Sequence, residues 1–83
     1  MAMIYSDGNV VILGDEVLLR ATNRGVVVAV IDEGEFSFAF RQSEWMYLQK
    51  GVLIDFPALG LMHFEDFDPD LQLLARAGAR GEH

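Results

Sequence analysis

The side chains in this sequence with the most chemistry to offer are carboxylates. Glu65-Asp66-Phe67-Asp68-Pro69-Asp70 places four acids in six positions with no base among them. Asp32, Glu33 and Glu35 form a second acidic turn. Carboxylates so grouped can sit where phosphates would otherwise meet Arg and Lys, as an inhibitor of a nuclease would need. The plainer reading of either group is a solvated turn, and acids at 65–70 would favour a following helix N-terminus. Asp66, Asp68 and Asp70 also match the first half of a calcium loop. The position that needs glycine is Leu71, however, and the one that needs glutamate is Ala77, so a calcium site is not expected.

Other chemistries find less support. His63 is the only histidine inside the chain, His83 being its last residue. Catalysis by histidine needs an oriented partner and zinc needs three or four ligands, so His63 reads as a strand residue with its ring half buried. Ser6, Ser37 and Ser43 lack a nucleophile-elbow context, and no glycine-rich phosphate loop follows a strand. The expectation is a non-enzyme with no cofactor and no metal. Phe36, Phe38, Phe40, Trp45 and Tyr47 concentrate aromatics in a short stretch. Alternating phenylalanines suit the core of a small domain, whereas Trp45 and Tyr47, beside Gln42, Ser43 and Gln49, suit a partly exposed binding anchor.

The elements that must carry these residues come from a short chain. Its 83 residues suffice for one domain, with an ordered core expected at about 7–75, and 52% of them are hydrophobic. There is no cysteine, so packing alone must hold the fold. The longest apolar run, Val26 to Ile31, is far short of the ~20 residues of a membrane helix and reads as a buried strand. The N-terminal residues carry no secretory-signal pattern, and a cytoplasmic location is expected. Thirteen acids and six bases give a net charge of −7. Nucleic-acid binding draws much of its affinity from clustered Lys and Arg, which this chain lacks. A protein partner with a basic surface is expected instead, with no nucleic acid and no membrane. Homo-oligomerisation is compatible with the pattern.

Gly and Pro recur at short intervals, as turns between short strands do. Glu16–Arg20 reads as a strand, Thr22–Gly25 as a turn, and Val26–Ile31 as a central strand rich in β-branched residues. Phe36 to Phe40 alternates as a further strand. Ser43 caps a helical turn through Glu44 to Leu48, closed by Gly51. Val52–Phe56 and Leu61–Glu65 flank Pro57–Gly60 as a hairpin with a four-residue loop. Residues 69–77 fit a capped helix with Pro69 at its start, and equally a last short strand. The expected fold is all-β: a small SH3-like barrel of about five short strands with one helical turn.

Two resemblances accompany this reading. Gly14-Asp15-Glu16-Val17-Leu18-Leu19, followed by Arg24-Gly25-Val26-Val27-Val28-Ala29-Val30-Ile31, resembles the opening strands of SH3-like barrels. Trp45-Met46-Tyr47-Leu48, then Gly51 to Phe56 and Gly60 to Glu65, resembles small bacterial immunity proteins encoded beside polymorphic or secreted toxins, over roughly residues 7 to 75. The second implies a stoichiometric inhibitor of a cognate toxin; the alternative is an adaptor that docks a peptide or larger complex. The candidate partner-binding residues are Asp32, Glu33, Glu35, Trp45, Tyr47, Glu65, Asp66, Asp68 and Asp70.

Overall fold

The computed structural model describes residues 3–37, 45–66 and 68–76. Six strands lie in one antiparallel sheet: β1 (Glu16–Leu19), β2 (Asn23–Val30), β3 (Glu35–Phe36), β4 (Val52–Phe56), β5 (Gly60–Phe64) and β6 (Leu71–Ala75). Two 3-10 turns, Ile31–Glu33 and Met46–Leu48, complete the regular structure among the described residues. The all-β class expected from the sequence is the class observed. Among the described residues no helix is long and apolar enough to cross a membrane.

The sheet runs β5-β4-β2-β1-β6, with the short β3 also pairing β2. The long β-branched run therefore occupies the centre, hydrogen-bonded on both sides. The last strand returns to the first, Leu19 facing Leu71 and Val17 facing Leu73. Side chains from both ends of this order meet: Phe64 of β5 and Leu71 of β6 join Val17, Leu19, Val27, Ile54 and Phe56 in one core. The sheet thus curls around its apolar face. Gly25 permits a close approach within this core, since a Cβ there would lie 2.6 Å from the Phe56 ring and 2.9 Å from Ile54.

A second apolar cluster forms on the other face. Pairing of β2 with β4 shifts register between Val27 and Ala29. This bulge adds twist and re-aims side chains. Val28, Ala29, Ile31 and Leu53 are buried there under Phe36, Trp45 and Leu48. The burial of β4 on both faces at Val52, Leu53 and Ile54 follows.

Several sequence expectations need correction. The first hairpin turns at Arg20 and Ala21, both left-handed at φ 54° and 63°, with the Thr22 amide donating to the Leu19 carbonyl at 3.3 Å. Asn23, Arg24 and Gly25 are already strand. Arg20 tolerates this conformation because its amide donates to the Asp70 carbonyl at 2.9 Å, an anchor invisible in local sequence. The later hairpin has a three-residue loop, Pro57–Leu59, because Gly60 already pairs with Phe56. Ile31 leaves the central strand for a 3-10 turn closed by left-handed Gly34 at φ 68°. The segment 71–75 is a strand, which supplies β1 with its outer neighbour. The expected strand positions Phe38 and Phe40, and the cap Ser43, lie outside the described residues.

Candidate functional site

The acids of the two turns do not form one patch. Val30, Val52 and Phe64 are cross-strand neighbours, so Ile31, Gly51 and Glu65 leave the sheet at the same end. The Ile31 amide donates to the Gly51 carbonyl at 2.9 Å, which ties two of these exits together. Gly51 lies so close to β5 that a Cβ on it would collide with the Phe64 carbonyl oxygen, and its φ is +92°. Asp32, Glu33, Glu35, Glu65 and Asp66 thus belong to one end of the sheet. Asp68 and Asp70 belong with the Arg20 hairpin, at the far end of β2.

The run 65–70 is partly neutralised and partly structural. Asp66 pairs with Lys50 at 3.7 Å and Asp70 with Arg20 at 3.7 Å, all four side chains exposed. Exposed pairs of this kind contribute at most about 1 kcal/mol each. Asp68 accepts the Asp70 amide at 2.9 Å, and its carbonyl accepts the Leu71 amide at 3.1 Å. Here the acids shape a turn into a strand, where the sequence suggested support for a helix. Their side chains point to separate partners, and among the described residues no three His, Cys, Asp or Glu side chains are grouped to hold a metal.

The aromatic residues are better placed. The 3-10 turn Met46–Leu48 follows Trp45, whose half-buried indole packs on Val28, Ala29, Ile31 and Leu53. Tyr47 stacks on it with ring centroids 6.5 Å apart and planes 24° from parallel, and Tyr47 is 71% exposed. The platform is packed below and open above. The acid-bearing segment Ile31–Phe36 packs into the same cluster through Ile31 and Phe36. The segment that bears Asp32, Glu33 and Glu35 therefore meets the cluster under the indole, and no ion pair involves these acids among the described residues. His63 is a strand residue as expected, but exposed. Its Nε2 lies 2.8 Å from the Lys50 carbonyl, which only accepts, so Nε2 carries the proton.

No protein-family model matches this chain. Comparison with curated proteins and with solved structures likewise finds no match.

One polar cluster escaped the sequence reading. Asp15 is fully buried. Its Oδ2 accepts the Tyr5 hydroxyl at 2.7 Å, the Ile12 amide at 2.9 Å and Arg76 Nη1 at 3.4 Å, while Oδ1 has no hydrogen-bond partner. Arg76 also donates to the Val10 carbonyl at 2.9 Å. Burial first, and the hydrogen bond to Asp15 second, hold the Tyr5 phenol far above its ordinary pKa. The cluster joins the segment before β1 to the end of β6 and acts as a structural staple. In the sequence Gly14-Asp15 stands out only through the SH3-like resemblance; partners 10 and 61 positions away carry no local signal.

Proposed function

We propose that this protein is a non-catalytic binding domain whose partner is a protein with a basic surface, docked at the Trp45–Tyr47 platform. The observation that carries the proposal is the exposure of Tyr47 while its ring is held by stacking on an indole seated in an apolar cluster. An aromatic ring fixed in advance gives contact area at little conformational cost, as interface hot spots do. Asp32, Glu33 and Glu35 then form the polar rim, and the −7 charge favours encounter with a positive partner. Glu65 and Asp66 extend that rim; Asp68 and Asp70 are assigned to holding the hairpin end.

In its most concrete form the partner is a toxin, and the domain its cytoplasmic immunity protein. Support for that form is the sequence resemblance at Trp45–Leu48 and Gly51–Glu65. The test is affinity capture from the native lysate with wild type and with the triple variant Asp32→Lys, Glu33→Lys, Glu35→Lys. Recovery by wild type of one basic protein in near-equal amount, sharply reduced with the triple variant, supports the proposal. That protein should arrest growth when expressed alone and not when co-expressed with this domain. Recovery of nucleic acid, of a multi-component assembly, or of the same protein by both baits would contradict it.

A further inference from the structure

Farther along the outer face of the sheet, beyond the Trp45–Tyr47 platform that sits over Leu53 of the same face, lies a mixed apolar and charged surface. Along it Leu61, Asp55, Val26 and Glu16 stand side by side on β5, β4, β2 and β1. Val26 is 41% exposed, Leu61 38% and Leu74 42%. Gly25, Val26, Pro57 and Leu74 line a shallow apolar groove between Glu16 and Arg24. Arg24 follows the same outward alternation as Val26, and the inward residues Gly25 and Val27 are buried.

The charges distinguish this face from the rest of the molecule. Of the four cations among the described residues, Arg20, Lys50 and Arg76 already hold carboxylates. Arg24 makes no ion pair among them. It stands two residues along β2 from Val26, whose cross-strand neighbour is the exposed Asp55. A cation and an anion thus lie diagonally across an apolar centre.

We infer that this face docks a second copy of the chain, with Arg24 of each copy against Asp55 of the other and Val26 at the centre. A two-fold axis in the plane of the contact, passing between the two charges, exchanges them, which is the self-complementarity an isologous dimer needs. A second copy sets Arg24 against Asp55 twice, once in each direction. The size also fits. The molecule measures 30 × 30 × 26 Å, so one face can supply the ~800 Å² per partner of a standard interface. The inference does not rest on the proposed function, because its test contains no other protein.

The test is sedimentation equilibrium of the full chain over a concentration series. Wild type should reach twice the 9.3 kDa chain mass. Arg24→Asp and Asp55→Arg should each weaken dimerisation at least ~10-fold, and the double variant that swaps the charges should regain most of the loss. Val26→Lys should be monomeric, with circular dichroism confirming that it is folded. Leu74→Lys, on the rim of the groove, provides a second break should Val26→Lys fail to fold. A wild-type protein that stays monomeric throughout would overturn the inference. So would a dimer indifferent to all of these variants, which would point to pairing along the outer edge of β5.

Discussion

Replacing Tyr5 by Phe removes one oxygen from the most deeply buried polar contact among the described residues. The hydroxyl donates at 2.7 Å to Oδ2 of Asp15, a carboxylate with no solvent exposure and an unpartnered second oxygen. After the change Asp15 keeps only the Ile12 amide and the longer 3.4 Å contact to Arg76. A hydrogen bond to a charged group contributes about 1.5–3 kcal/mol, so a loss of about 2 kcal/mol is expected at neutral pH. The pH dependence sharpens the prediction. Burial and Asp15 raise the folded-state pKa of the phenol, so the contribution of the neutral ring is fully present below the unfolded value and declines as pH rises beyond it. With an unfolded pKa near 10, wild type loses about 1.4 kcal/mol from this group between neutral pH and pH ~11. The Phe variant has no such group to lose. Its deficit should therefore shrink from about 2 to about 0.6 kcal/mol, and Tyr47, present in both proteins, cancels in the difference. Urea unfolding at both pH values, followed by Trp45 fluorescence, gives the two numbers. Equal stability at neutral pH, or a deficit unchanged at alkaline pH, would refute the role given to the Tyr5–Asp15 bond.

Further variants test the packing and the staple. Gly25→Ala should cost about 1–3 kcal/mol by pressing on Phe56 and Ile54, because the core must shift to admit a methyl group. Gly51→Ala should cost more, since its Cβ would meet backbone at Phe64 and its φ of +92° disfavours any side chain; both are read by denaturant midpoint. Arg76→Met should lower stability by about 2–3 kcal/mol, below the full cost of breaking a buried pair because the guanidinium is partly solvated. The same measurement on Arg76→Lys should show partial recovery.

Much of the fold was legible in the sequence because its signals are local. The β-branched run from Val26 reads as a central strand and is one as far as Val30, and Val52–Phe56 with its neighbour across Pro57 reads as a hairpin and is one. What was not legible depends on contacts between distant residues. The turn at Arg20 and Ala21 uses two non-glycine residues in the left-handed region, and the Asp70 carbonyl that anchors it lies 50 positions away. The segment 71–75 has an ambiguous period, and pairing with β1 decides it. The same holds at the candidate site. Trp45 and Tyr47 stood out through their polar neighbours, but the cluster that fixes the indole comes from β2 and β4. The run 65–70 looked like one acidic patch because adjacency in sequence conceals Lys50 and Arg20, which take two of its acids.

The central claim is that Tyr47, held on Trp45, is the anchor for a basic protein partner. Its most direct test is the binding kinetics of the captured partner with wild type, Tyr47→Ala and the triple lysine variant of Asp32, Glu33 and Glu35, each at two salt concentrations. The account predicts that Tyr47→Ala weakens binding about 30-fold or more, chiefly through faster dissociation. It predicts that the triple variant slows association and reduces its dependence on salt. A partner that binds Tyr47→Ala as tightly as wild type, with association unchanged by the triple variant, would contradict it.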